Sequence, residues 1–330
     1  MTMPVMTLIE AIRHGLTQEM ELNPRTLVLG EDVGVRGGVF GATRGLLERF
    51  GPERVIDMPL AESSIVGVAI GAAVAGWRPL AEIQFADYIH PAMNQIINEA
   101  ARIRYRTNGD YTCPVVIRAP FGGGVHGALY HSQSVEGLFY HVPGLKIVIP
   151  STPYDARGLL RAAMEQEDPV LFFEHKRAYR LVKGEVPEEP YSVPIGPAAI
   201  RREGRHCTVI AYGLMVHHAL EAAERLSREE GIEAEVIDLR TILPLDRETL
   251  IASAQKTGRV LIVHEDNRTG GVGAEVAAIL AEEALFYLDA PIRRHTGPDA
   301  PAMPFNPVQE AAFLPNPYTI ADQIRELVHF

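Results

Sequence analysis

The sequence has little of what marks secreted, disulfide-bonded or membrane-spanning proteins. It contains two cysteines, Cys113 and Cys207, each in an apolar strand-like context and about a hundred residues apart, which favours buried thiols over a disulfide. The longest apolar run, IVGVAIGAAVAGW, is too short and too rich in glycine to predict a membrane span. No signal-peptide pattern stands at the N-terminus. We therefore expect a cytoplasmic protein, or a mitochondrial-matrix protein if the source is eukaryotic.

The chain also lacks positive charge. Its 31 Lys and Arg face 42 Asp and Glu, for a formal net charge of -11. Nucleic-acid binding depends on clustered basic side chains that neutralise phosphates, so this balance argues against it. The 330 residues, 47% hydrophobic and 22% charged, are typical of a globular protein of about two domains.

Several catalytic motifs are missing. No serine stands in a G-x-S-x-G elbow, and both cysteines lie in apolar strand-like contexts, so covalent catalysis by the chain itself is unsupported. The glycine-rich loop at 122–134 lacks the lysine and Ser/Thr of a Walker loop. No further Cys, His or carboxylate stands at zinc-ligand spacing from its two histidines, His126 and His131. Two interpretations stay open for this loop: a histidine acting as acid or base on a substrate, or a structural glycine loop.

What is present is a regular alternation of strands and helices. Apolar strand-like runs are separated by helix-length segments, including a long helix predicted at 91–105, which implies parallel strands with right-handed crossovers. The proline-rich, acidic stretch KGEVPEEPYSVPIGP interrupts the alternation and predicts a linker. The sequence thus predicts an α/β protein of two doubly wound domains, 1–184 and 200–330, joined by a linker at 185–199.

The central stretch of the chain runs from Val55 to Tyr88. A short strand is followed by Glu62 and by a helix of small residues, in which Gly67 and Gly71 share one face and would let another backbone come close. Two interpretations of Glu62 remain: a carboxylate stabilised by the helix dipole, or a carboxyl in an apolar setting that exchanges a proton with a ligand ring.

A second strand of this stretch leads to Gln84, Phe85 and Tyr88. The two aromatic residues are either ordinary core residues or, together with the amide of Gln84, a contact surface for a flat ligand. The segment HEDNRTGG, 264–271, follows another predicted parallel strand, where ligands or partners bind.

A series of motifs along nearly the whole chain resembles one family. The motifs GEDVG, MPLAE, AEIQFADY, RIRYRTNGD, GALYHSQS, FFEHKRAYR, VIDLRTILPLD and KTGRVLIVHE occur in this order. Together they resemble the beta subunit of the thiamin-diphosphate-dependent dehydrogenase component of 2-oxo acid dehydrogenase complexes. That family has a pyrimidine-binding domain followed by a transketolase C-terminal-like domain.

The resemblance implies roles for several residues. Glu62 would hydrogen-bond the aminopyrimidine ring of thiamin diphosphate and promote its imino form, while Leu60, Gln84 and Tyr88 would line the same ring. His131 would face the substrate and take part in reductive acylation of a lipoyl group. Some family members bind K+ through backbone carbonyls, which here correspond to Val115 and Asp168.

The resemblance also implies partners. An alpha subunit would complete an alpha2-beta2 heterotetramer and hold the diphosphate and Mg2+ through a GDG motif, which this sequence lacks. The basic subunit-binding domain of a lipoyl acyltransferase would dock near the closing segment that ends at Phe330. Branched-chain 2-oxo acids are the expected substrates, with pyruvate or acetoin as alternatives. A non-catalytic assembly subunit of the same fold is the rival outside enzymology, and a transketolase-like or deoxyxylulose-phosphate synthase fragment is the rival enzyme.

Overall fold

The computed structural model describes residues 3–330, and the chain divides into two compact units. The first unit comprises the chain up to Phe121 together with His141–Ile195. The second comprises Gly122–Tyr140 and Gly196–Phe330. The segment 122–140 therefore belongs by its contacts to the second unit, although it lies in sequence between two parts of the first. The domain boundaries at 184 and 200 stay a prediction.

The strands of the first unit form a parallel sheet, with one small antiparallel pair apart from it. The strands are β1 Val5–Thr7, β2 Thr26–Gly30, β3 Val55–Asp57, β4 Arg78–Glu82, β5 Val116–Phe121, β6 Lys146–Val148, β7 Val170–His175 and β8 Lys183–Glu185. In the sheet the order is β6-β7-β5-β4-β2-β3, with every one of these neighbours parallel. The strands β2, β5 and β7 are buried along their whole length, as expected when helices cover both faces. The strands β1 and β8 pair antiparallel.

Helices of the first unit connect these strands. The α-helices are Leu8–Leu22, Leu46–Phe50, Glu62–Val74, Ile103–Arg106, Pro153–Met164 and Ala178–Leu181. The first begins with a capping box between Thr7 and Glu10, in which each side chain accepts from the backbone N–H of the other residue. This helix packs on Pro153–Met164, and a Cβ at Gly15 would lie 3.0 Å from Leu160. A residue larger than glycine would crowd the Leu160 side chain, which would have to shift by a few tenths of an ångström.

The prediction of one regular, long α-helix at 91–105 was wrong. The structure has 3-10 turns at His90–Ala92 and Ala100–Arg102 with a π-helical turn at Gln95–Glu99 between them. The N–H of Ala100 bonds the carbonyl of Gln95, five residues back, which widens the helix. Ile96 and Ala101, five apart, are therefore both buried, a spacing that a regular α-helix would place on different faces.

The second unit has a mixed sheet. Its strands are β9 Ala199–Arg202, β10 Cys207–Ala211, β11 Ala234–Asp238, β12 Thr241–Leu243, β13 Val260–Asn267 and β14 Arg293–Gly297. The sheet order is β14-β13-β10-β11-β9, parallel except that β9 runs antiparallel at the edge. Its α-helices are Ala128–His131, Gly137–Tyr140, Leu214–Glu230, Arg247–Thr257, Val272–Glu283, Pro307–Phe313 and Pro317–Val328. The prediction of a doubly wound α/β fold is confirmed, with β9 as the exception to parallel pairing.

Among the described residues no helix has both the length and the apolar character that crossing a bilayer requires.

Candidate active site

The predicted cofactor residues of the first unit lie at one edge of its sheet. Strands β4, β2 and β3 are neighbours and run parallel, so the segments that follow them leave the sheet at the same edge. Leu60 and Glu62 follow β3, whereas Gln84 and Tyr88 follow β4. The carboxyl edge of a parallel sheet is where open α/β folds bind ligands. The topology therefore brings these four residues to a common edge.

Glu62 is the first residue of the helix Glu62–Val74 and is half-buried. The N-cap residue Ala61 offers no side chain to the free N–H groups of this helix, so the carboxylate is the acidic group nearest to them. Leu60 beside it is 73% exposed. An exposed apolar side chain next to a carboxyl at a helix start gives a surface that can hold one edge of a polar ring.

Two more carboxyls surround this position. Glu31 and Asp32 follow β2, between the segments that carry Glu62 and Gln84. Burial raises the pKa of Glu31, and the negative charges of Asp32 and Glu62 raise it further. Glu31 is therefore close enough to Asp32 and Glu62 to be affected by both negative charges, and the positive charge of Arg36 offsets them in part.

The loop after β2 is fixed by hydrogen bonds to neighbouring strands. The Asp57 carboxylate at the end of β3 accepts N–H groups from Gly34 at 2.6 Å and Val35 at 3.3 Å. A Cβ at Gly30 would lie 2.7 Å from the carbonyl oxygen of Glu82, so β2 can approach β4 this closely only with glycine at its end. The glycine-rich turn is thus held in place beside the acidic edge by the Asp57 carboxylate.

Aromatic rings line the β4 side of the edge. The Phe85 ring lies 5.7 Å from Tyr88 and 5.4 Å from Phe40, both edge to face. Phe40 in turn lies 5.2 Å from Tyr179, and the Lys176 ammonium is 5.7 Å from the centre of the Phe85 ring. Gln84, Phe85 and Tyr88 are half-buried rather than fully buried. A ring cluster of this kind holds Tyr88 in place and leaves part of its surface available to a ligand.

A buried charge network lies under this edge, and sequence reasoning missed it. Arg118 donates to both oxygens of Glu174, at 2.6 and 2.7 Å, and to Glu82 at 2.7 Å. The hydroxyl of Tyr179 also donates to Glu174, at 2.5 Å. Burial by itself would lower the pKa of Arg118, but the negative charges of Glu174 and Glu82 raise it on balance. The signal available in sequence was a charged residue within or at the end of each of three mainly apolar strands, a pattern that requires partners.

The predicted histidine, His131, lies in the second unit, at the end of the short helix Ala128–His131. The loop that carries it is held by buried carboxylates. Glu265 accepts from the N–H of Gly123 at 2.8 Å, and Glu310 accepts from the N–H of Gly124 at 2.8 Å. The Nδ1 of His126 lies 2.5 Å from Glu310. His126 therefore serves as an anchor of the loop, a role that the sequence did not distinguish from that of His131.

The backbone of this loop is strained at two positions. His126 and Ala128 have φ values of +58° and +54°, in the left-handed region that ordinary side chains rarely adopt. Strain of this kind persists only where surrounding contacts enforce it, and it concentrates at functional sites. The loop thus presents His131 in a conformation set by its anchors.

The two residues of the predicted potassium site lie at the other end of the first sheet. The carbonyl of Val115 accepts the N–H of Val170 at 3.0 Å, and the Asp168 carboxylate pairs with Arg104 at 2.5 Å and with Lys146 at 3.8 Å. A cleft of about 700 Å³ adjoins Asp168. Within residues 3–330, no group of three His, Cys, Asp or Glu side chains is arranged to hold a metal ion.

Comparison with known proteins covers both compact units. Residues 5–182 match the family described as "Transketolase, pyrimidine binding domain", and residues 196–320 match "Transketolase, C-terminal domain". The 2-oxoisovalerate dehydrogenase subunit beta of Bacillus subtilis (strain 168) is 62% identical over 328 residues, covering 99% of this chain and 100% of that protein. The pyruvate dehydrogenase E1 component subunit beta of the same strain is 47% identical with the same coverage.

A solved structure shares the fold. The chain titled "Split gene transketolase, inactive beta4 tetramer" aligns with a TM-score of 0.77 at 26% identity, covering 98% of each chain. The likeness therefore extends over the first and the second unit alike.

Proposed function

Because the chain belongs to the beta subunits of the thiamin-diphosphate-dependent 2-oxo acid dehydrogenases, we propose that with an alpha subunit it oxidatively decarboxylates branched-chain 2-oxo acids. The family resemblance found in the sequence motifs is confirmed. One observation carries the choice of substrate: over the same 328 residues the identity is 62% to a 2-oxoisovalerate enzyme and 47% to a pyruvate enzyme. Pyruvate is the second candidate.

The residues at the acidic edge fit the aminopyrimidine of thiamin diphosphate. The carboxylate of Glu62, the amide of Gln84 and the hydroxyl of Tyr88 offer acceptors and donors to a ring that has both, and Leu60 and Phe85 offer apolar surface. The same edge does not suit the diphosphate, because three carboxyls lie there and the negative charges of Asp32 and Glu62 already raise the pKa of Glu31. A site that fits the aminopyrimidine but not the diphosphate supports an alpha subunit that supplies the diphosphate and Mg2+ site.

Thiamin diphosphate supplies an electron sink for the carbanion that decarboxylation leaves. In our proposal the carboxyl of Glu62 donates a hydrogen bond, and then its proton, to a nitrogen of the aminopyrimidine ring, and it takes the proton back later. Gln84 and Tyr88 orient the ring. Leu60 excludes water from the side that the helix start leaves open.

We propose that His131 donates a hydrogen bond or a proton to the substrate and later to the lipoyl group during reductive acylation. Its support is the loop geometry: the carboxylates Glu265 and Glu310 fix the backbone around Gly123 and Gly124, and the strained turn then presents the imidazole.

The remaining assignments are proposals of the same kind. K+ would bind backbone carbonyls near Val115 and Asp168. A lipoyl acyltransferase would dock near the segment that ends at Phe330. The cytoplasm is the proposed location, since the free thiols of Cys113 and Cys207 persist in a reducing compartment.

The experiment compares the chain alone with the chain co-expressed with its alpha partner. Dye-coupled decarboxylation is measured with thiamin diphosphate and Mg2+ on 3-methyl-2-oxobutanoate and on pyruvate. We expect no turnover by the chain alone, in keeping with a structural neighbour that is an inactive beta4 tetramer. With the alpha partner, we expect the larger kcat/KM on the branched substrate.

A larger kcat/KM on pyruvate would keep the enzyme class and replace the substrate. If a cofactor-loaded heterotetramer turned over neither substrate nor acetoin, the chain would be an assembly subunit and the proposed activity would be wrong. Activity of the chain by itself would contradict the division of the cofactor site between two subunits.

A further inference from the structure

Glu136 is a buried carboxyl that the proposed mechanism does not use. It lies in the segment 122–140, here called the histidine loop, five residues after His131, and none of its surface is exposed. Its Oε1 accepts the hydroxyl of Tyr212 at 2.8 Å. Its Oε2 is buried and has no hydrogen-bond partner. An ionised carboxylate with one buried oxygen unsatisfied would be strongly destabilised.

The adjacent carboxyl, Asp266, is better satisfied. It accepts the N–H of Gly137, the residue after Glu136, at 3.1 Å on Oδ2, and the N–H of Asn267 at 2.8 Å on Oδ1. A Cβ on Gly137 would lie 2.5 Å from Asp266 Oδ2, so the backbone of the histidine loop touches this carboxylate directly. Hydrogen bonds from N–H groups favour the ionised form of the acid that receives them. Of the two acids, Asp266 is therefore the one suited to keep its charge.

The groups around Glu136 also favour its neutral, protonated form. Burial raises the pKa of Glu136, and the negative charges of Asp266 and Glu265 raise it further, while hydrogen bonds from its own backbone N–H and from Tyr212 oppose the rise without reversing it. Burial also raises the pKa of Asp266, to about 6. The ring of His264 stacks on Tyr212 at 5.9 Å, and burial lowers the pKa of that imidazole to about 4, so His264 is neutral near pH 7 and brings no compensating charge.

We propose that Glu136 is a protonated, neutral carboxylic acid in the folded enzyme, and that in this form it positions the histidine loop. A neutral Glu136 lets the Asp266 carboxylate hold the Gly137 N–H without a second buried negative charge beside it. An ionised Glu136 would repel Asp266 and Glu265, which anchor the loop at Gly137 and Gly123. The inference deepens the proposed function, since it rests on that function for the role of His131.

The neutral form of Glu136 determines how the docking of the histidine loop changes with pH. A carboxyl whose pKa is raised by folding contributes stability that is complete below its unfolded pKa and is lost as pH rises through the folded value. The docking of the histidine loop therefore weakens on the alkaline side. Acidification does not weaken it through Glu136.

The first measurement is infrared absorption of the cofactor-loaded heterotetramer at about pH 7, in the carbonyl-stretch region of a protonated carboxyl. We expect a band that Glu136→Gln removes. The matched control is Glu235→Gln. Glu235 is an equally buried carboxyl of the second unit, but it pairs with Lys256 and accepts from Thr208 at 3.2 Å. It should be ionised, so the control variant should keep the band.

The second measurement is hydrogen exchange of the amides in 122–140. Glu136→Gln keeps a neutral group of the same shape, so protection should match that of the wild type. Glu136→Ala leaves the Tyr212 hydroxyl without its acceptor and opens a gap, so exchange should be about tenfold faster, the equivalent of one lost hydrogen bond. Peptides from β10 serve as the internal control.

Two results would overturn the proposal: no protonated-carboxyl band in the wild type, or a histidine loop as poorly protected in Glu136→Gln as in Glu136→Ala. Lipoyl acylation separates this failure from failure of the proposed function. If Glu136→Ala loosens the loop while both it and His131→Ala acylate normally, the positioning stands and the role of His131 is wrong.

Discussion

The chemical role open to each carboxyl group in this chain depends on the groups that surround it. Glu62 lies half-buried at a helix start among other acids, Glu174 is fully buried against Arg118, and Glu310 is buried against backbone N–H groups of the histidine loop. Only the first is open to a ligand. This difference in partners, rather than the residue type, makes Glu62 the candidate for proton exchange.

Glu62→Gln tests that assignment. The amide keeps the size of the side chain but cannot hold a proton as a carboxyl does, so we expect decarboxylation to fall by about a hundredfold or more. Assembly with the alpha subunit and the unfolding temperature should be unchanged. The control is Glu248→Gln, which alters another acid in the first turn of a helix, Arg247–Thr257, and should leave turnover intact. Near-normal turnover of Glu62→Gln would reject the catalytic role.

His264 gives the second unit a stability that depends on pH. The imidazole is fully buried and accepts the N–H of Gly273 on Nε2 at 3.2 Å, and burial lowers its pKa from 6.5 to about 4. A base with a depressed folded pKa contributes stability that is complete above the unfolded value and is lost as pH falls toward the folded one. This loss amounts to about 2 kcal/mol between about pH 7 and about pH 5.

The measurement is thermal unfolding at both pH values for the wild type and for His264→Gln, whose amide oxygen can still accept from Gly273. The variant does not titrate, so its melting temperature should fall less on acidification than that of the wild type. Equal falls in the two proteins would show that His264 is not the group responsible.

At the scale of helices and strands, much of the fold is predictable because the pattern of apolar residues is local. The sequence predicts strands at Thr26–Gly30 and Ala234–Asp238, because each is a short apolar run between polar turns. The structure has β2 and β11 with these bounds. The irregular stretch 91–105 was not predicted, because its apolar spacing fits an α-helix about as well as a π turn. The antiparallel β9 was missed because strand direction depends on a distant partner, β11.

In the candidate site, too, the features that are local in sequence were predicted and those that depend on distant residues were not. The position of Glu62 at a helix start is a local property and was predicted. The network of Arg118, Glu82 and Glu174 joins three strands, and the anchoring of the histidine loop by Glu265 and Glu310 spans more than a hundred residues of sequence. No pattern within a short window contains such pairings. The roles of Glu62 and His131 themselves stay predictions.

The helix Glu62–Val74 presents an unpaired face of small and apolar residues. Ser64, Val68 and Gly71 are exposed at helical spacing, and a Cβ added at Gly71 would meet nothing within 4 Å. The chain therefore has room for a larger residue there. If a partner backbone packed against this face, that room would be filled and a larger residue would clash with the partner.

Gly71→Leu separates folding from assembly. Leucine favours a helix over glycine by up to about 1 kcal/mol, so the variant chain should be at least as stable as the wild type. Association with the alpha subunit should be lost, as judged by light scattering of the co-expressed proteins. Gly71→Ala is the control and should assemble. A normal heterotetramer from Gly71→Leu would show that this face is not the interface.

The whole molecule carries a net charge of -11. Charge of one sign over a surface speeds encounter with a partner of the opposite sign and makes the association sensitive to salt. The basic subunit-binding domain of the acyltransferase, the docking partner that we propose, would be attracted in this way, whereas a small 2-oxo acid is itself an anion and gains nothing from this field. Docking and decarboxylation should therefore differ in their response to salt.

Raising the salt from about 50 mM to about 200 mM shortens the screening length from about 14 Å to about 7 Å. We expect the affinity of the heterotetramer for the isolated subunit-binding domain to fall several-fold, mainly through a slower association rate. Dye-coupled decarboxylation, which needs no docking, is the internal control and should change little. Surface plasmon resonance gives the rate constants. A salt-independent association rate would mean that apolar contacts govern docking, and the acidity of the chain would then serve solubility alone.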